Sequence, residues 1–158
     1  MSHAPMPAPE FQIAAWLNTP APITLAGLRG RVVVALAFQM LCPGCVQHAL
    51  PQLMRVRRSF AAERVAVLGL HTVFEHHAAN SEAALAAFLH EYRIAIPVGI
   101  DAPDPQGGPI PCSMAAYAME GTPTLLLIDR AGRLRRQVFG HVEDMALGAE
   151  IALLAAEA

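Results

Sequence analysis

The sequence predicts an α/β fold in which a mixed central sheet carries helices on both faces. Three observations carry that reading. Val32 to Phe38 is a continuous apolar, β-branched run of the kind buried on both sides of a sheet. Val65 to Leu70 and Thr124 to Ile128 are two further short apolar runs, and the segments between and after these runs show helical periodicity. A chain of 158 residues has room for one such domain, which hides about 70% of its unfolded surface. Hydrophobic residues make up 54% and charged residues 15%, with a mean hydropathy of +0.39, a composition that excludes a disordered chain.

In chain order, residues 1–10, rich in Pro and Ala, read as a flexible tail, and residues 11–158 as a single domain. The turn-like Gly27 to Gly30 leads into the core strand Val32 to Phe38. After Cys42, apolar residues at Val46, Leu50, Leu53, Met54 and Phe60 follow a helical period interrupted by Pro51, where a kink is expected. Val65 to Leu70 is the second buried strand. Asn80 or Ser81 caps a helix with apolar positions Leu85, Phe88, Leu89 and Tyr92. A short strand near Ile96 to Ile100 gives way to a long Pro/Gly segment, Asp101 to Pro111. Thr124 to Ile128 then turns through Asp129 to Gly132 into Leu134 to Phe139, forming a hairpin, and Asp144 to Ala156 is a closing helix.

Several function classes are excluded early. With 11 Lys+Arg against 13 Asp+Glu, a net charge of −2 gives no reason to expect nucleic acid or an anionic membrane as partner. The clusters Arg55, Arg57, Arg58 and Arg133, Arg135, Arg136 read as solvated faces. The longest aliphatic run is far shorter than the ~20 residues of a membrane span. Met1 to Pro9 lacks the features of a secretory signal, so a cytoplasmic location is expected. Oligomeric state is not legible. Three cysteines cannot pair without a remainder, so two at close spacing call for a chemical explanation.

That pair is Cys42-Pro43-Gly44-Cys45, placed where the first core strand ends and the kinked helix begins. Pro43 suits the first helical position and biases Cys42 toward extended backbone, which puts Cys42 at or beside the cap. There its sulfur meets unpaired N–H groups and the positive end of the helix dipole, both of which stabilise a thiolate. A pKa lowered from about 8.5 to about 7 raises the thiolate fraction at pH 7 roughly 16-fold while nucleophilicity falls about 5-fold. The larger gain is that Cys42 becomes a good leaving group when Cys45, one helical turn on, attacks a mixed disulfide. Gly44 is expected to leave space for an approaching partner. A four-cysteine zinc site would need a second pair, and Cys112 stands alone; haem attachment needs His where Val46 stands. No metal and no external cofactor are expected, and His76-His77 beside Glu75 reads as a solvated loop.

With these pieces in place, the sequence resembles the thioredoxin-like superfamily, in particular its TlpA/DipZ and redoxin (AhpC/TSA-like) type, from about Trp16 to the C-terminus. The matching segments are Leu28-Arg29-Gly30-Arg31-Val32-Val33, the Cys42 to Cys45 pair, Gly69-Leu70-His71-Thr72 and Gly121-Thr122-Pro123-Thr124. The resemblance implies a thioredoxin-like three-layer α/β/α sandwich with a mixed sheet. It also implies that Pro123 is cis and lies against the cysteines, with the backbone of Thr122 contacting the disulfide partner and Pro43 and Gly44 bordering it. The aromatic residue usual before the first cysteine is Leu41 here. The helix proline, usually five residues after the second cysteine, comes six after it at Pro51, so an extra residue or bulge is expected.

His48 is a candidate acid/base group for Cys45, with Glu75 and His71 as weaker ones. Cys112 reads as an inert small hydrophobe or as an extra thiol able to pair with Cys42. The leading function is thiol-disulfide oxidoreductase: Cys42 as nucleophile, Cys45 as resolving thiol, protein or small-molecule thiols and disulfides as partners, and a potential on the reducing side. Two alternatives stand beside it. One is a peroxiredoxin-like thiol peroxidase using Cys42, weakened because Ala35 and Gln39 replace the Pro and Thr of the usual Pro-x-x-x-Thr-x-x-Cys motif. The other is a redox-switched or metal-holding binding module.

Overall fold

The computed structural model describes residues 5–158. Six strands form one sheet in the order β1-β4-β3-β2-β5-β6. They are β1 (Ile13–Leu17), β2 (Val32–Phe38), β3 (Val65–His71), β4 (Val98–Asp101), β5 (Thr124–Ile128) and β6 (Leu134–Phe139). β2, β3 and β4 run parallel, while β5 and β6 at one side and β1 at the other are antiparallel to their neighbours. The helices are α1 (Leu50–Ser59), α2 (Glu82–Glu91), α3 (Cys112–Ala116) and α4 (Asp144–Ala156). The crossovers from β2 to β3 and from β3 to β4 step across the sheet in the same direction. Right-handed connections therefore put α1 and α2 on one face.

Strand alternation then sorts the core. Val32, Val34, Leu36 and Phe38 meet Leu50 and Leu53 of α1, Leu85 and Leu89 of α2, and Leu147 and Ile151 of α4. Val33, Ala35 and Ala37 face the other way, toward Phe11, Leu25, Leu28, Met114 and Tyr117. Two helical layers thus enclose the sheet, but the second is thin: the short α3, a 3-10 turn at Ala26–Leu28 and the N-terminal segment. Gly69 opens room on β3 for the Phe38 ring, whose Cε1 would lie 3.0 Å from an added Cβ.

Several expectations are corrected. β1 escaped the sequence reading because a five-residue edge strand with a half-buried pattern carries little periodicity. α3 lies directly after the Pro/Gly segment and is too short to show a period. Of the two proposed caps for α2, Ser81 accepts from Ala84 N–H at 3.2 Å, while Asn80 donates to the His76 carbonyl at 2.9 Å. Residues 6–10 are not a free tail. Pro7 bridges Arg133, Ala8 N–H donates to the Gly132 carbonyl at 2.9 Å, and Tyr117 Oη donates to the Pro9 carbonyl at 2.6 Å. Glu10 accepts from Leu25 N–H at 2.5 Å and from Ala26 N–H at 3.3 Å. Residues 1–4 of the expected tail lie outside the described residues. The later arginine cluster is not merely solvated, because Arg133 and Arg135 converge on the buried Asp129 at 2.9 and 3.2 Å.

Candidate active site

Parallel pairing places the C-terminal ends of β2, β3 and β4 along one edge, with Phe38 opposite His71 and His71 opposite Ile100. β5 runs the other way, so its start lies at that same edge, with Thr124 opposite Ala37. This antiparallel step brings Thr122-Pro123 beside Cys42, and the Thr122-Pro123 peptide bond is cis.

The helix begins at Pro43, with Cys42 at the cap position as expected: the Cys42 carbonyl accepts from Val46 N–H at 3.1 Å. From Cys45 to Ala49 the helix opens into a π turn before α1 continues from Leu50, with Pro51 in the first turn of the α segment. The extra residue inferred from the Cys45–Pro51 spacing is thus absorbed as a π bulge, the form such insertions take at functional sites. Pro51 has no N–H to give, and at the start of a new helical segment none is required.

Cys42 and Cys45 are joined as a disulfide with Cα atoms 5.2 Å apart. Cys45 is wholly buried among Leu36, Phe38 and Leu50, whereas Cys42 is partly exposed. Cys45 N–H points at Cys42 Sγ from 3.3 Å, and the Thr122 carbonyl oxygen lies 3.6 Å from that sulfur. A backbone donor aimed at Cys42 Sγ favours its thiolate over that of Cys45. Gly44 is partly exposed, and an added Cβ would meet only Pro123 Cδ at 3.7 Å, an ordinary contact. Leu41 and Pro43 stand exposed at the rim, Leu41 at 57%.

The three proposed acid/base groups differ in exposure, two on the surface and one buried. His48 is exposed, its ring edge-on to His141 with centroids 6.4 Å apart. His48 follows Cys45 by three residues within the π turn, which is wider than an α turn, and it is exposed where Cys45 is buried. Glu75 is exposed in the loop after β3. His71 is 1% exposed against the Phe38 ring, and burial drives its imidazole down to about 4, with the Asn80 side chain a smaller opposing influence. Among the described residues neither His71 Nε2 nor Asn80 Oδ1 has a hydrogen-bond partner. Cys112 starts α3 on the opposite face of the sheet, its Sγ 3.3 Å from the Pro103 carbonyl oxygen.

Two buried polar residues at this edge went unremarked in the sequence as parts of the framework. Asp101 caps α3, accepting from Ser113 N–H at 2.7 Å and Met114 N–H at 3.0 Å, and burial outweighs these bonds to raise its pKa. Gln39, considered only for the threonine it replaces, is 2% exposed and reaches both Phe74 and Thr122. An acidic or amide residue at the end of an apolar strand is the signal that could have found both. Among the described residues no group of three or more His, Cys, Asp or Glu stands close enough to hold a metal ion.

A cap-position cysteine bonded to a buried one, beside a cis Thr122-Pro123 bond at the sheet edge, is a thioredoxin-like arrangement. Comparison with known proteins agrees. The model of the AhpC/TSA family matches residues 6–137, and the chain belongs to that family. No curated protein matches. Among solved structures, a thioredoxin-like superfamily protein, SPOA0173, is 59% identical with a TM-score of 0.94, covering 97% of this chain and 98% of its own. A thiol-disulfide isomerase from Corynebacterium glutamicum is 42% identical with a TM-score of 0.91, covering 96% and 98%. A thioredoxin-like protein solved in its oxidised form, at 21% identity and a TM-score of 0.77, shares the fold.

Proposed function

We propose that the protein is a thiol-disulfide oxidoreductase in which Cys42 exchanges with protein or small-molecule disulfides and Cys45 resolves the mixed disulfide. The observation that carries this reading is the asymmetry of the pair: Cys42 is reachable from solvent beside the Thr122 carbonyl, while Cys45 is sealed in the core. In the reducing direction the Cys42 thiolate attacks a substrate disulfide, releasing one thiolate and leaving Cys42 linked to the other sulfur. Cys45, losing its proton, then attacks Cys42 Sγ, expels the second substrate thiolate and closes the 42–45 disulfide. Two electrons pass to the substrate and two protons accompany them. Thr122 and Pro123 border the approach, and the family resemblance makes the Thr122 backbone the docking point for a partner chain. The likeness to a thiol-disulfide isomerase at 42% identity supports the same chemistry.

The test is catalysed reduction of insulin by dithiothreitol. The wild-type protein accelerates it, Cys42→Ser does not, and Cys45→Ser accumulates a mixed disulfide. Peroxide consumption equal to or faster than disulfide turnover would move the assignment to the thiol peroxidase, and no thiol turnover at all would leave a binding module.

A further inference from the structure

Gln39 makes three hydrogen bonds through its carbonyl and its side-chain amide. Its main-chain carbonyl accepts from Cys42 N–H at 3.2 Å, its Oε1 accepts from Phe74 N–H at 3.3 Å, and its Nε2 donates to Thr122 Oγ1 at 3.4 Å. Three segments distant in sequence are thereby joined through one buried residue: the cysteine turn, the loop after β3 and the loop that precedes β5. The amide orientation has a physical cause. A backbone N–H can be met only by an acceptor, so Oε1 faces Phe74 and the NH2 group is left for Thr122. The Thr122 hydroxyl serves as acceptor, and the carbonyl of the same residue lies 3.6 Å from Cys42 Sγ.

We infer that Gln39 is a positioning residue for polypeptide disulfides: it fixes the Thr122 backbone relative to Cys42 so that a partner chain docks there with its sulfur in line. The inference rests on the disulfide-exchange reading and adds a substrate preference to it. A partner chain meets the protein at two places, backbone contact at Thr122 and sulfur approach at Cys42, and a displaced Thr122 backbone weakens the first, a loss of binding that is read in KM. A small disulfide has no backbone to dock and meets only the second. Gln39 therefore governs KM for peptide disulfides and leaves exchange with a small disulfide unchanged.

The experiment compares a disulfide-bridged peptide with 2-hydroxyethyl disulfide as substrates for the wild type, Gln39→Leu, Gln39→Glu, Thr122→Val and the Leu/Val double variant. Leu fills the volume without hydrogen bonds. Glu keeps an acceptor for Phe74, and its second oxygen accepts from the Thr122 hydroxyl with the roles reversed. The expected result is a peptide KM raised about fivefold by Gln39→Leu, the net worth of one neutral hydrogen bond, with kcat and the small-disulfide rate unchanged. Thr122→Val gives the same rise, the double variant no further rise, and Gln39→Glu recovers to within about twofold. An unchanged peptide KM in folded Gln39→Leu overturns the inference, as does an equal loss on both substrates or a double variant in which the two effects multiply. If Gln39→Leu does not fold, an unchanged KM in Thr122→Val is decisive against it. A wild type inactive on both substrates removes the exchange reading itself, and is distinguished by that inactivity.

Discussion

Cys42 Sγ lies 3.6 Å from the carbonyl oxygen of Thr122, 80 residues further along the chain, while Cys45 three residues away is shut into the core. In the reduced protein this difference in access sets the order of modification. Iodoacetamide is expected to label Cys42 at least ~10-fold faster than Cys45, with the thiolate bias toward Cys42 acting in the same sense. Peptide mapping by mass spectrometry after brief labelling checks this, and equal labelling would contradict the assigned roles.

Gly44 is not required by space. Its backbone is right-handed helical, with φ −62° and ψ −33°, and a Cβ there meets Pro123 at ordinary contact distance. Gly44→Ala is expected to fold and to gain about 0.5–1 kcal/mol, because alanine loses less chain entropy on entering a helix. Urea denaturation of the oxidised proteins measures it; a loss of stability would show that the turn needs glycine.

His71 couples stability to pH. Its folded pKa of about 4 lies below the ordinary 6.5, so the unfolded chain binds the extra proton between those values. The stability that a neutral His71 permits is complete above pH 6.5 and falls by up to ~3 kcal/mol as pH drops to about 4. Asp101, with its pKa raised by burial, acts in the opposite sense, gaining stability as pH falls toward the carboxylate range. Comparing wild type with His71→Leu isolates the histidine. The variant is expected to lose the acid sensitivity between pH 6.5 and 4, and parallel stability profiles would refute the assignment.

Asp129 ties the β5–β6 turn. It is 3% exposed and accepts from Ala131 N–H at 3.0 Å, Arg133 N–H at 2.9 Å and the Arg133 and Arg135 side chains. Burial by itself would raise its pKa, but these bonds prevail and hold it below the usual carboxylate value. Its contribution is therefore present above about pH 4 and lost as pH falls through the lowered value. Asp129→Ala is expected to cost about 1–3 kcal/mol at pH 7, since it leaves the Ala131 and Arg133 amides without their acceptor. Thermal or urea unfolding checks it.

Deleting residues 1–10 removes Glu10 from the Leu25 and Ala26 amides and the Pro9 carbonyl from Tyr117. A loss of about 2–3 kcal/mol is expected from these bonds. An unchanged denaturation midpoint would restore the reading of this segment as a free tail.

Much of the fold was legible because it follows from local pattern. β2, β5, β6 and α4 begin and end where apolar runs and their flanking turns place them. The six-residue interval from Cys45 to Pro51, set against the five usual in the family the sequence resembles, pointed to an extra residue, and the π turn at Cys45–Ala49 holds it. β1 and the docking of residues 6–10 were not legible, since edge pairing is decided by what lies alongside in space. The exposure of His48 three residues after the buried Cys45 depends on the local π turn, which three-residue spacing alone does not reveal.

The sequence by itself determined the closely spaced cysteine pair and the strand-to-helix junction that holds it, because these depend on neighbours a few residues apart whose geometry the backbone dictates. The place of Thr122-Pro123 beside that pair came from the family resemblance, since the two segments are 80 residues apart. Only the tertiary structure decided which cysteine is reachable, that Gln39 bridges Phe74 to Thr122, and that Asp129 collects two arginines. Burial and long-range hydrogen bonds arise when the antiparallel β5 is laid against β2, and no local pattern encodes the distances that result.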